Sequence, residues 1–343
     1  MIRPFLLCVL CAVSLPAAVW ASGCTQPSQA TGTHEFTFED VTRTYRLSLP
    51  PGASAMQPVP LIMVFHGWGG DESEFLQFDP VIEAAGQRGY ALVAPRGLGD
   101  GEPDRHNSSW TFSGSDTGLD GNGGPICNAE ITPDYRYSSC AGTAANSCSW
   151  TQCQQDDVAF TLALLEHLNE QICVDQQRIF AVGGSNGGMF AWELAQNPVS
   201  AGKLRAFASL IGLPHRGYRS GPGREGDLPV LLITGQQDPT VPPGEWGDMG
   251  FTTTSNGNDR FYYESASAIT SKWAQAHDCD VSGVAETVST PWDQVECRSF
   301  CATGSDLPQV LDCRAEMGHT YELDWAWPLV LQFFDDHGGA VQP

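Results

Sequence analysis

The sequence predicts an α/β protein with a mostly parallel central sheet, helices on both faces and a cysteine-rich insertion. Three observations lead there. Short, continuous apolar runs bounded by turn residues recur down the chain, segments with helical spacing lie between them, and residues 97–155 interrupt that alternation. The runs at 61–65, 90–94, 178–182, 207–211 and 230–233 read as strands covered on both faces, because a strand without a solvent face needs no polar alternation; 310–315 reads as the last strand. Residues 45–49 alternate instead and read as a half-buried edge strand. Between the runs, 156–172 places Val158, Leu162, Leu165 and Leu168 on one side of a helix, and 187–195, 266–276 and 325–334 complete the helical set. Strand and helix in alternation argue for a sheet with helical crossovers. With no repeat and no composition shift that marks a linker, residues 22–343 read as a single domain.

The segment 97–155 is rich in Gly, Ser, Asp and Asn and carries Cys127, Cys140, Cys148 and Cys153. An irregular stretch of that length inside a domain is usually functional. Its cysteines could staple it over the sheet as a lid or as a wall of a cleft, and a passive surface insertion is the equal alternative. Residues 116–124 are rich in Asp and Gly but lack the ligand spacing of a calcium loop, so no metal is expected. Asn107-Ser108-Ser109 is an N-glycosylation sequon.

The amino terminus reads as a secretory signal over residues 1–21: Arg3, then a short apolar core, then small residues with Val19 and Ala21 fitting a peptidase site. That core is too short to span a membrane. Anchoring as a lipoprotein at Cys24 is the weaker reading, because Ala21 stands where a larger apolar residue is expected. Of the 12 cysteines, Cys8 and Cys11 leave with the signal. The remainder is even in number, which in an exported chain predicts disulfides of unspecified connectivity. A formal charge of −23 repels phosphates and anionic bilayers, so neither nucleic acid nor membrane is expected as a partner; the oligomeric state is not legible.

Gly183-Gly184-Ser185-Asn186-Gly187 follows a strand-like run and opens a helix-like one. A serine on such a turn projects its hydroxyl above the sheet, and small flanking residues avoid clashes. The helix N-terminus behind it offers free N–H groups to a developing oxyanion. Serine needs a base and the base an orienting carboxylate; on the α/β-hydrolase fold the acid and the histidine follow the serine in that order, each after a strand. Asp238 follows the 230–233 run and His319 follows the 310–315 run. Asp248 is a less well placed acid, and His277 and His337 read as surface histidines. The second oxyanion donor is expected from Trp68 N–H in His66-Gly67-Trp68-Gly69-Gly70, beside Asn186 N–H, with His66 ordering that loop.

The run 178–189, with Gly183-Gly184-Ser185-Asn186-Gly187 at its centre, resembles the elbow of secreted polyhydroxybutyrate depolymerases and of the related feruloyl and acetylxylan esterases. The Asp156-Asp157-Val158 helix start, the His66-Gly67 loop and the Gly318-His319-Thr320 turn are similar to that group too. The resemblance spans about 44–334, interrupted by the insertion. It implies an α/β-hydrolase fold and a cofactor-free serine esterase. Ser185, Asp238 and His319 would form its triad and Trp68 and Asn186 its oxyanion hole. Its substrate would be a polysaccharide-linked or polyester ester. Trp110 and Trp246 are candidate aromatic substrate contacts, or packing residues. A peptidase on the same fold and a non-catalytic glycan-binding relative are the alternative readings.

Overall fold

The apolar runs assemble into the middle of a ten-stranded sheet in the computed structural model. It describes residues 24–25, 29–54, 57–100, 106–128, 130, 136–143, 146–219, 228–254, 260–281, 285–301 and 310–339; residues 1–21, where a signal is expected, lie outside the described residues. In chain order come β1 (Gly32–Phe38), β2 (Val41–Ser48), β3 (Val59–Phe65), α1 (Asp79–Gln87) and β4 (Ala91–Pro95). The insertion contributes β5 (Leu98–Asp100) and β6 (His106–Ser109), followed by α2 (Asp157–Gln171), β7 (Val174–Gly184), α3 (Asn186–Gln196), α4 (Pro198–Ala201) and β8 (Ala206–Leu210). Then follow β9 (Val230–Gly235), β10 (Phe251–Thr253), β11 (Tyr262–Glu264), α5 (Ala266–Ala276), β12 (Glu286–Val288), β13 (Val295–Ser299), β14 (Val310–Ala315) and α6 (Leu323–Phe334).

The sheet order is β1-β2-β4-β3-β7-β8-β9-β14-β13-β12. The six strands from β4 to β14 pair in parallel, and an antiparallel pair flanks them at each edge. Side chains of a strand alternate between faces, and here both faces are apolar. Leu61, Met63 and Phe65 of β3 join Leu164 and Leu168 of α2, Phe190 of α3 and Trp273 of α5 on one side. Ile62 and Val64 join Val81 of α1 and Trp327 and Leu331 of α6 on the other. This is why the central runs are unbroken. Residues 45–49 are not at the edge: β1 pairs outside them, Gly32 opposite Leu47. Polar residues dilute the apolar content of β1, β12 and β13, which hides them from a reading of runs.

All ten cysteines among the described residues are paired: Cys24–Cys173, Cys127–Cys148, Cys140–Cys153, Cys279–Cys301 and Cys297–Cys313. With its Sγ in a disulfide, Cys24 has no thiol left for a lipid. The insertion is knitted into the core. Trp110, Phe112, Ile126, Cys127 and Cys148 share the buried cluster of the sheet. Asp156 caps α2 by accepting from Val158 N–H (2.8 Å) and Ala159 N–H (3.1 Å). Its neighbour Asp157 turns inward. One oxygen of Asp157 meets Arg43 Nη1 at 2.8 Å, both side chains fully buried; the other accepts from Thr111 N–H (2.7 Å) and Gln152 Nε2 (3.0 Å). The Arg43 guanidinium lies 3.5 Å over the Phe160 ring and donates through Nε to Arg96 O. His215, in the β8–β9 crossover, stacks on Phe112 and Tyr263. Its Nε2 accepts from Trp150 Nε1–H at 2.8 Å and its Nδ1–H donates to Tyr262 O at 3.1 Å. These contacts pack the described part of the insertion against the sheet and α2.

Removing the charge of Asp157 leaves a buried guanidinium without its counter-ion. Asp157→Asn should lower the urea-unfolding free energy by about 3–5 kcal/mol at neutral pH, and a change under about 1 kcal/mol would show that the pair does not anchor the insertion.

Two buried imidazoles set a pH dependence. Burial pushes His215 down to about 3 and His66 down to about 4 from the ordinary 6.5. As pH falls, the unfolded chain therefore takes up these protons first. The stability they contribute is complete above 6.5 and is lost as pH drops toward the folded values. Urea unfolding at pH 5 should give a free energy lower than at pH 7 by about 2 kcal/mol per histidine. A His215→Phe variant should lose its share of that slope; an unchanged slope would contradict the assignment.

Candidate active site

The topology puts the ends of β3 and β7 side by side where the strand order turns back, the position at which open α/β sheets bind ligands. Ser185 stands at the end of β7 with φ 51° and ψ −118°, a backbone few non-glycine residues adopt. Two glycines make it reachable. A Cβ on Gly183 would lie 2.2 Å from Gly187 C, and one on Gly187 would lie 2.2 Å from Phe65 O. Strand, turn and helix thus touch backbone to backbone. Ser185 N–H donates to Leu210 O (2.8 Å), and Ser185 O accepts from Met189 N–H (2.9 Å) as α3 begins.

Asp238 follows β9 in a tight turn, its N–H donating to Gly235 O at 3.1 Å. Its Oδ1 accepts from Thr240 N–H (2.8 Å) and Val241 N–H (3.0 Å). That leaves Oδ2 for His319 Nδ1 at 2.7 Å, and His319 Nε2 meets Ser185 Oγ at 2.9 Å. A carboxylate only accepts, so the proton is on Nδ1 and the Nε2 lone pair faces the serine hydroxyl. Asp238 is buried and the His319 side chain is 25% exposed, so the imidazole is open to solvent while its carboxylate is not. The two turns are held together by Gln236 N–H on Ala315 O and Gln237 N–H on Met317 O. The three residues read from sequence are therefore brought into one hydrogen-bonded line.

The loop after β3 is ordered by His66. Its Nε2 accepts from Gly97 N–H at 2.8 Å, so its Nδ1–H donates to Gly67 O at 2.7 Å. Gly70 N–H donates to the same carbonyl at 3.1 Å. In a trans peptide the N–H points opposite to the C=O, so gripping Gly67 O fixes the direction of Trp68 N–H. The indole of Trp68 is 42% exposed. Asn186 carries a role invisible in sequence: its Oδ1 accepts from Trp110 N–H at 2.7 Å and its Nδ2 donates to Trp110 O at 2.9 Å. The side chain clamps the insertion while the backbone N–H stays with the elbow.

The other candidate residues have contacts of their own. Trp110 is fully buried, stacked on Phe190 and edge-on to Phe65; it is a core residue, not a substrate contact. Trp246 is half-buried between the guanidinium groups of Arg298 (4.0 Å) and Arg314 (3.9 Å), a stack that caps its loop. Asp248 accepts from Gly250 N–H and orders its own turn. His277 is buried at the end of α5 beside Leu228 O, not on the surface, and His337 is half-buried against Phe333. In the Asp-rich stretch, Asp120 accepts from Asn122 and Gly124 N–H, spending its carboxylate on a turn. Among the described residues no group of three His, Cys, Asp or Glu side chains converges as a metal site. Glu74 and Tyr321, which join at the oxyanion loop, had no sequence signal beyond their nearness to Gly67 and His319.

No protein-family model matches the chain. It is 29% identical over 203 residues to the esterase-named protein NocK of Nocardia uniformis subsp. tsuyamanensis, covering 59% of this chain and 46% of that protein. It is 27% identical over 220 residues to feruloyl esterase C of Emericella nidulans, covering 62% of each. The chain thus spans about half to three-fifths of the length of these relatives. An acetyl xylan esterase from Aspergillus awamori superposes with a TM-score of 0.52 at 14% identity, over 89% of this chain and 99% of that one; that likeness shows the fold. The chain has an α/β-hydrolase fold and is a relative of proteins named feruloyl esterase C.

Proposed function

We propose that the protein is a secreted serine esterase that hydrolyses carboxylic esters through an acyl-enzyme. The observation that carries this is the line Asp238–His319–Ser185, with contacts of 2.7 and 2.9 Å and its tautomer set by the carboxylate. His319 Nε2 takes the Ser185 proton as Oγ attacks the ester carbonyl. It then gives that proton to the leaving alkoxide. Asp238 stabilises the imidazolium formed between these events, and Asn186 and Trp68 N–H groups hold the oxyanion. Water, deprotonated by His319, repeats the attack on the acyl-enzyme and frees the acid and Ser185. No step calls for a cofactor.

The relatives named feruloyl esterase C favour aromatic or acetyl esters of plant polysaccharide over polyester or peptide. Disulfides that close every cysteine of the described chain support an oxidising compartment.

Ser185→Ala should lower kcat by about 10⁴-fold or more on any ester the wild type cleaves, with its unfolding midpoint retained. A fluorophosphonate should label Ser185 in the wild type, and a label on another residue would end the nucleophile assignment. Asp238→Asn, which favours the wrong tautomer, should lower kcat by about 10³–10⁴-fold. In a panel of methyl ferulate, acetylated xylan, hydroxybutyrate oligomers and peptides, the first two should have the highest kcat/KM. Faster turnover of peptides would overturn the esterase reading, and faster turnover of hydroxybutyrate oligomers would overturn the substrate class.

A further inference from the structure

Three loops carry the proposed machinery, and one pair of side chains joins all of them. Glu74 Oε1 accepts from Gly67 N–H at 2.9 Å, in the oxyanion loop, and from the Tyr321 hydroxyl at 2.7 Å. Tyr321 lies two residues beyond His319. Its ring packs on Gly184, next to the nucleophile, so closely that a Cβ there would lie 2.3 Å from Cε1; at Gly67 a Cβ would lie 2.4 Å from the hydroxyl. Behind it the ring stacks on Phe75 at 4.9 Å. Burial and the adjacent Glu74 carboxylate keep the phenol far above its ordinary 10.0, so it remains a hydroxyl donor.

We propose that Glu74 and Tyr321 are positioning residues that set the oxyanion loop, the serine elbow and the His319 loop at their working distances. The proposal rests on the serine-esterase reading. Glu74 grips the N–H of Gly67 while His66 and Gly70 grip its C=O. With both ends of that residue held, the following Trp68 N–H has one direction. Releasing the Glu74 end frees the His66–Gly67 peptide and lets the Gly67 backbone shift, carrying the Trp68 N–H with it; a displacement of about 1 Å at a reacting group is worth about 100-fold in rate. Tyr321 passes the same constraint to the His319 loop and, through its ring, to the elbow. Oxyanion contacts strengthen in the transition state, so the loss falls on kcat rather than KM.

The test uses the full-length protein as Tyr321→Phe, Glu74→Ala, the double variant and Glu74→Gln. Fluorophosphonate labelling counts active sites, and kcat and KM are measured on an ester the wild type hydrolyses. Each of the first two should lower kcat per labelled site by about 10–100-fold with KM within about 2-fold. The double variant should be within about 3-fold of the worse single, because both break one tie. Glu74→Gln keeps an oxygen that accepts both bonds and should stay within about 3-fold of wild type. A purely structural role would reduce the labelled fraction and leave kcat per site intact; that result overturns the proposal, as do multiplicative losses or a change confined to KM. If Glu74→Ala does not fold, Tyr321→Phe, which lacks a single oxygen, decides alone. A wild type that the fluorophosphonate leaves unlabelled at Ser185 would bring down the esterase reading itself. A labelled wild type with fully active variants would bring down the tie alone.

Discussion

Backbone contact at Gly183 and Gly187 is the constraint on which the site depends. With no Cβ at either position, the end of β7 packs on the start of α3, and the start of α3 on the carbonyls of Phe65 and His66. That approach drives Ser185 into its left-handed φ, a conformation that costs on the order of 1–3 kcal/mol unless its surroundings enforce it. It also delivers the loop after β3 to the N-terminus of α3, where helix N–H groups lack intrahelical partners. The proposed nucleophile and the proposed oxyanion site are therefore set by one packing event: the contact that strains Ser185 is the contact that brings the loop after β3 to the start of α3.

The parts of the fold that could be read in sequence are those in which local pattern and burial agree. Ser185, Asp238 and His319 each follow a strand buried on both faces; an unbroken apolar run announces the turns after β7 and β9, while β14 carries Asp312 and Arg314 within it. The missed strands β1, β12 and β13 carry too many polar residues to make such a run. The short helix α1, with Pro80 in its first turn, went unread as well. Trp110 misled for a different reason. It lies in a Gly- and Ser-rich stretch that looks solvated, yet its backbone is held by Asn186, 76 residues away. A residue buried by contacts that distant leaves no periodic trace around itself. The same holds for Glu74 and Tyr321, which are 247 positions apart.

The buried wall of the insertion shows how an acidic chain keeps charge inside. Arg43 and Asp157 are both fully buried, and burying an ion pair is seldom a net stabilisation. What the pair supplies is specificity of position: one carboxylate accepts from Arg43, Thr111 and Gln152, and so joins β2, the insertion and α2 at a single point. The helix bearing Asp157 runs into β7 and thence to Ser185. The insertion is thus tied to the nucleophile twice, through this carboxylate and through the Asn186 clamp.

The proposal of His319 as the base rests on lone pairs. His66, His215 and His319 each have both ring nitrogens occupied. For His66 and His215, Nε2 accepts from an N–H donor, Gly97 N–H and Trp150 Nε1–H, and Nδ1 donates to a backbone carbonyl. Burial pushes both pKa values down, so neither can take up a proton without breaking a hydrogen bond that already uses its lone pair. His319 differs at both ends. Its Nδ1–H donates to a carboxylate, which stabilises the cation formed on protonation, and its Nε2 faces a hydroxyl that can surrender its proton. Hydrogen-bond partners rather than burial single out His319, because a base needs a lone pair aimed at the proton it removes and a nearby negative charge to hold the result.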